Sequence, residues 1–379
     1  MFCHKLLVGL VGGLAVIVPL GCGPTGGVDG DGGGVHDGSV LPDAQDPGDG
    51  GHVWWDGGAG DGMVGCDPRN FVLQQAPPAE VYLVIDRSGS MSEASATPGL
   101  NKWEELNVAV DTALTQFEAA IKFGVLTYPS NNECSTSGPQ VGVALNNRQA
   151  ILNELTAAVP AGGTPTAAAL NNAASSLTDL GSTDSPKVVI LATDGGPNCN
   201  YFLNATPSCS CTHTTPEYCC TNYPSACLFG YTCLDDDHSV AVISDLQAAG
   251  IDTVVIGLAG TSEYESLLNA MAVAGGQPQV GGATDYYPAG NQNEIIAALQ
   301  AVAVSIISCE IQLEEPPDFP DLVHVYMDGV EVDWNGAQSD GWDYTDPSNT
   351  VIELFGAACD TLQDGDEHTL TATFACVVD

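Results

Sequence analysis

From about residue 80 to residue 307, short all-apolar runs alternate with stretches whose apolar residues recur every three or four positions. The run 81–85 is all apolar with β-branched residues and 188–192 is all apolar, the pattern of strands buried on both faces, and 122–128 and 251–258 are further, largely apolar strand candidates. Residues 141–145 read as a weaker strand at an edge. Between these runs, the spacing of Trp103, Leu106, Ala109, Ala113, Leu114 and Phe117 predicts a helix over 102–119. Similar periodicity predicts helices over 148–159, 165–177, 238–249, 264–273 and 293–307. Pro165 suits a first helical turn, and Gly250 suits a helix end. Strands alternating with helices predict an α/β domain over 80–307, a doubly wound, mostly parallel sheet covered on both faces.

The rhythm changes after Cys309, where helical signals stop. Residues 323–327 alternate, Asp328-Gly329 supplies a turn, and 330–332 continue the alternation, which is a hairpin signature. Runs 351–355 and 369–377 add strands, so residues 310–379 read as a small all-β domain. The rhythm also breaks inside the α/β region. Residues 195–237 hold seven cysteines among many Thr, Asn and Pro, as expected of a disulfide-stapled insertion rather than a bare loop. Seven is odd, so at least one of them pairs outside the insertion or stays free, and Cys134 is a candidate partner. Cys309, Cys359 and Cys376, with Cys66 as a fourth member, would tie down the β domain.

The ends of the chain add a compartment. Lys5 precedes an apolar run, 6–20, too short and too abruptly ended for a membrane-spanning helix, so 1–22 reads as an export signal. Its end, Pro19-Leu20-Gly21-Cys22, resembles a bacterial lipobox, which makes Cys22 the lipid-bearing residue of an anchor at the outer membrane or surface of a Gram-negative bacterium. Ordinary secretion is the alternative. Residues 23–65, dominated by Gly and Asp, lack the apolar residues for a core and read as a disordered linker. Twelve cysteines remain beyond Cys3 and Cys22, an even number that suits disulfides in an exported chain; a zinc site in the crowded Cys209–Cys220 region lacks the usual pairing of ligands. The net charge of −41, with seven Lys and Arg, leaves no basic patch for nucleic acid or anionic lipid.

The chemistry sits where predicted strands end. Asp86-Arg87-Ser88-Gly89-Ser90 follows the run 81–85, placing a carboxylate and two hydroxyls at alternate positions, a hard-oxygen cradle for a small divalent cation. Thr164 lies on a Gly-Gly-Thr-Pro-Thr loop before a helix, and Asp194 follows the run 188–192. In an open α/β sheet such loops form the ligand site. Each piece also has a plainer reading: an Asx turn with capping serines, a helix N-cap, a turn aspartate.

Together these residues resemble the von Willebrand factor type A domain and its metal-ion-dependent adhesion site (MIDAS), over about residues 80–307. The resemblance implies that Ser88 and Ser90 bind Mg2+ directly, with Mn2+ or Ca2+ as alternatives. It implies that Thr164 and Asp194 bind directly or through water, and that Asp86 acts through water and by bracing its loop. It further implies a non-enzymatic, exported adhesion module that grips an Asp or Glu carboxylate of a protein partner. A structural envelope protein whose metal only stabilises loops is one alternative. A metal-dependent hydrolase is another, but the chain has neither a G-x-S-x-G elbow nor an H-E-x-x-H motif. The insertion follows Asp194 directly, so it is expected to frame the site and choose the partner.

Overall fold

Two sheets share the described residues, and the chain visits the second one first. The computed structural model describes residues 70–131, 133–200, 210–212 and 231–374. The expected signal with Cys22, the linker 23–65, most of the insertion's interior and Cys376 lie outside the described residues. All of the described residues fall in one unit, Met63–Asp379. Strand β1 (Asn70–Gln75) belongs to the second sheet and is taken up below.

The first sheet has six strands: β2 (Glu80–Asp86), β3 (Lys122–Tyr128), β4 (Val141–Ala144), β5 (Lys187–Thr193), β6 (Ile251–Leu258) and β7 (Tyr287–Ala289). Their order is β4-β3-β2-β5-β6-β7, and every pairing is parallel except that of β4 with β3. Six helices accompany it: α1 (Lys102–Phe117), α2 (Arg148–Ala157), α3 (Thr166–Asp179), α4 (Asp236–Ala248), α5 (Glu265–Ala274) and α6 (Gln292–Ile306). The two-residue alternation of a strand sorts its side chains between two cores. Val81, Leu83 and Ile85 pack with Leu106, Val110 and Leu114 of α1 and Leu299 and Val302 of α6. Tyr82 and Val84 pack with Leu170 of α3, Ile243 of α4 and Met271 of α5. Each such aliphatic side chain contributes about 1.5–3 kcal/mol by leaving water. This is the doubly wound architecture expected from the apolar runs.

Strand order decides where a site can form. From β2 the chain crosses through α1 to β3 on one side, and later returns to β5 on the other side. The loops leaving β2 and β5 therefore diverge and open a crevice at the carboxyl ends of these two strands. α1 starts on a capping box: Asn101 Oδ1 accepts from the Glu104 amide at 2.8 Å, and Glu104 Oε2 accepts from the Asn101 amide at 2.9 Å.

The second sheet is antiparallel, with order β10-β9-β13-β1-β8-β12-β11. Its remaining strands are β8 (Glu310–Leu313), β9 (Val323–Met327), β10 (Val330–Val332), β11 (Gly341–Tyr344), β12 (Val351–Phe355) and β13 (Leu370–Phe374). β1 pairs through Asn70–Val72 with β13 and through Leu73–Gln75 with β8, so it joins a β10-β9-β13 half to a β8-β12-β11 half. Ile311, Val325, Trp342, Ile352 and Leu354 form its core. A short helix, α7 (Ala357–Leu362), interrupts the expected all-β run. Six residues are too few to show a 3.6-residue period, and α7 follows Gly356 at φ 58°. It carries Cys359, which is bonded to Cys309 with Cα atoms 5.5 Å apart.

The insertion is anchored as the odd cysteine count suggested: Cys134 pairs with Cys199, with Cα atoms 5.8 Å apart. Cys211 and Cys233 each take part in a disulfide as well, and their backbones meet in an antiparallel bridge.

Candidate metal centre

Asp86 is the last residue of β2 and is fully buried. Its Oδ1 accepts from the Ser88 amide at 2.8 Å, and its Oδ2 accepts from the Thr193 hydroxyl at 2.7 Å. The first bond is an Asx turn that folds the chain back after β2. The second ties that turn to the end of β5. Burial, and then the charge of Asp194, push the Asp86 carboxyl up to about 7, against the opposing pull of the bonds from Thr193 and Ser88.

The turn presents Ser88 and Ser90, whose hydroxyl oxygens lie 3.0 Å apart. The Ser90 hydroxyl donates to Asp194 Oδ1 at 2.8 Å. Neither serine acts as a side-chain cap of the single 3-10 turn that follows (Gly89–Ser92). Thr164 reaches the same crevice from the loop before α3. The Gly89 amide donates to the Gly162 carbonyl at 3.1 Å and the Ala161 amide to the Arg87 carbonyl at 2.8 Å, which sews the two loops together. The helix-cap position of α3 is Pro165, and no side chain caps it. Among the described residues the Thr164 hydroxyl has no hydrogen-bond partner, although the residue is 5% exposed.

Two residues at the site escaped the sequence reading. Lys102 donates from Nζ to Asp194 Oδ2 at 2.8 Å and to Glu93 Oε2 at 2.9 Å. Burial still wins at Asp194, whose carboxyl is raised even with the lysine beside it. Asn198 takes the Thr164 amide on its Oδ1 at 2.7 Å. A signal for Lys102 was present: it is one of only seven Lys and Arg, and it opens α1, where a positive charge opposes the helix dipole. Asn198 had no such signal. Beside the site, the aspartate run 235–237 opens α4; Asp235 is buried there, its carboxyl raised by that burial, and it lies 3.1 Å from His238 Nδ1.

The donor set suits a hard cation. Adjacent oxygens around octahedral Mg2+ at about 2.05 Å stand about 2.9 Å apart. The Ser88–Ser90 and Ser90–Asp194 separations, 3.0 and 2.8 Å, match such edges. Among the described residues no group of three or more His, Cys, Asp or Glu is placed to hold a metal, so a cation here would rest on hydroxyls as much as carboxylates. A cavity of about 700 Å3 opens at this point, lined by Ser88, Ser90 and Thr164 together with Glu133, Asn198 and Tyr231.

Residues 81–197 match the family model of the von Willebrand factor type A domain. The chain is similar to the uncharacterized protein YwmC of Bacillus subtilis (strain 168), with 26% identity over 227 residues, 58% of this chain and 80% of YwmC. It is similar in structure to an aerotolerance-related membrane protein from Bacteroides fragilis NCTC 9343 (16% identity, 60% of this chain and 98% of that one, TM-score 0.40). It is also similar to manganese-loaded TRAP of Plasmodium vivax (18% identity, 62% and 76%, TM-score 0.41). The matched segment holds β2 to β5 and the loops that bear Asp86, Ser88, Ser90, Thr164 and Asp194, while β6 and β7 lie beyond it; over residues 81–197 the chain matches the von Willebrand factor type A domain.

Proposed function

We propose that this chain is an exported binding module that grips an acidic group of a protein partner through a divalent cation. Ser88, Ser90, Thr164 and Asp194 would hold the cation, and Asp86 would brace the loop that presents the serines. The observation that carries this reading is the edge-like spacing of Ser88, Ser90 and Asp194 oxygens beside an open cavity at the sheet's switch point. Neutral hydroxyls leave a bound cation only partly compensated. Mg2+ fits these oxygens, and Mn2+ or Ca2+ would use the same ones. Binding rather than catalysis is the role proposed; among the described residues that line the cavity there is no Lys, Arg or His.

The Cys134–Cys199 and Cys309–Cys359 disulfides favour an oxidising, extracytoplasmic setting. Among the described residues no helix is long and apolar enough to cross a membrane, and a lipid on Cys22 would supply the anchor. The insertion contributes Asn198, Thr212, Tyr231 and Thr232 to the cavity lining, which supports a role for it in partner choice. Deleting residues 200–232 should abolish selection among partners while the domain stays folded.

One observation favours a structural role instead. Lys102 already pairs with Asp194, so part of the site's charge is balanced from within. The deciding experiment is capture from envelope extracts with wild-type and Asp86→Ala protein, with and without EDTA. Capture that needs both Asp86 and the cation supports adhesion; capture indifferent to both sinks it.

A further inference from the structure

Thr164 is the one oxygen donor of the five whose side chain nothing in the described residues holds, so its hydroxyl goes where its backbone puts it. That backbone is bonded on both its polar groups to the root of the insertion, in addition to the Thr166 amide that shares the Thr164 carbonyl at 2.9 Å. The Thr164 amide donates to Asn198 Oδ1 at 2.7 Å, and the Asn198 amide returns a bond to the Thr164 carbonyl at 2.9 Å. The neighbouring Gly163 amide donates to the Glu133 carbonyl at 2.8 Å. Asn198 precedes Cys199 and Glu133 precedes Cys134, and those two cysteines are bonded to each other. The two amides are thus caught by residues on either side of one disulfide.

The fit is close. A Cβ on Gly163 would stand 2.7 Å from Cys199 Sγ, 2.9 Å from Asn198 Oδ1 and 3.2 Å from Cys134 Sγ, so the disulfide lies directly against the loop backbone. Asn198 is itself steadied from the insertion, donating from Nδ2 to Thr212 Oγ1 at 3.0 Å, while the Thr212 amide donates to the Thr232 carbonyl at 2.9 Å.

We propose that Asn198 and the Cys134–Cys199 disulfide are positioning residues of the metal centre: they clamp Thr164, and the insertion thereby sets the site's affinity for a cation. This rests on the metal reading given under Proposed function. Coupling of this kind is reciprocal. If the disulfide tightens cation binding, the cation must make that disulfide harder to reduce by the same factor.

The test uses the exported chain with Mn2+ as probe. Asn198→Ala should speed hydrogen exchange of the Thr164 amide about tenfold in metal-free protein and weaken Mn2+ binding, read by titration calorimetry, about tenfold. Asn147→Ala, which removes bonds to the Phe123 and Gly142 carbonyls elsewhere on the sheet, should do neither. In the wild type held in a thiol–disulfide redox buffer, Mn2+ should shift Cys134–Cys199 toward the oxidised form at equilibrium, read by mass spectrometry, and leave Cys309–Cys359 unaffected. Unchanged Thr164 exchange in folded Asn198→Ala protein overturns the clamp. Equal loss of Mn2+ affinity in Asn147→Ala overturns it as well. Wild-type protein that takes no Mn2+ overturns the metal reading, and with it the clamp's effect on affinity, while the Thr164 exchange still reports whether Asn198 holds the loop.

Discussion

The Lys102 ammonium lies 2.8 Å from Asp194 Oδ2, while Ser90 holds the other oxygen of the same carboxylate at 2.8 Å. The Asp194 side chain is fully covered and that of Lys102 is 9% exposed. The pair fixes the plane of the carboxylate and leaves Oδ1 turned toward the serines. Removing one member of such a buried pair costs about 3–5 kcal/mol, because the other charge is stranded. Lys102→Met should therefore lower the melting temperature markedly in EDTA. Mn2+ should recover much of that loss, since a cation restores the missing positive charge. A melting temperature that falls equally with and without Mn2+ would show that the cation does not reach Asp194.

Asp86→Asn separates bracing from charge. An amide keeps an oxygen for the Ser88 amide and offers an N–H to Thr193, so the turn after β2 should survive. The metal-free variant should melt within a few degrees of wild type, while Mn2+ affinity drops at least tenfold. Loss of folding instead would assign Asp86 a mainly structural part.

The C-terminal sheet contains a pH-sensitive tie. His368 Nδ1 lies 2.7 Å from Asp328 Oδ2, and Nε2 lies 3.1 Å from Asp364 Oδ1. The bond to Asp328 raises His368; the bond from His368 lowers Asp328, and the Asp366 amide and then His368 lower Asp364. Support from a raised histidine is complete below its unfolded value of about 6.5 and is lost as pH climbs through its higher folded value. Support from lowered aspartates is complete above about 3.9 and is lost as pH falls through their lower folded values. The melting-temperature difference between wild type and His368→Gln should therefore be largest near pH 5–6 and shrink toward pH 9. A difference that stays constant across that range would remove the tie from the account.

Cys309–Cys359 spans 50 residues of chain. Closing a loop of that length stabilises the fold by about 4 kcal/mol in the chain-entropy model. Cys309→Ser/Cys359→Ser protein should lose cooperative unfolding of the second sheet at a lower denaturant concentration, while Mn2+ affinity at the first sheet holds. A coincident loss of both would join the two sheets into one cooperative unit.

Much of this was legible along the chain, for reasons that particular segments make plain. β3 and β6 were located to the residue because each is a largely apolar run that is buried along nearly its whole length. Asp86, Ser88 and Ser90 were legible because one turn carries all three. β1 and β7 were not. β7 is three residues long with Pro288 at its centre, and β1 finds its partners more than 200 residues away. Asn198 was hidden for the same kind of reason, and so was the partner of Lys102, although its charge at the start of α1 stood out: each acts on a residue brought by another loop, and local spacing holds no record of that.

β1 comes first along the described chain yet closes the sheet made last, hydrogen-bonded on one half of its length to β13 and on the other to β8. A pull on the chain ahead of Asn70 would load this strand before any other. The load would run lengthwise, against hydrogen bonds on both flanks that resist together rather than one by one. The second sheet therefore stands between such a pull and β2, the strand that ends at Asp86.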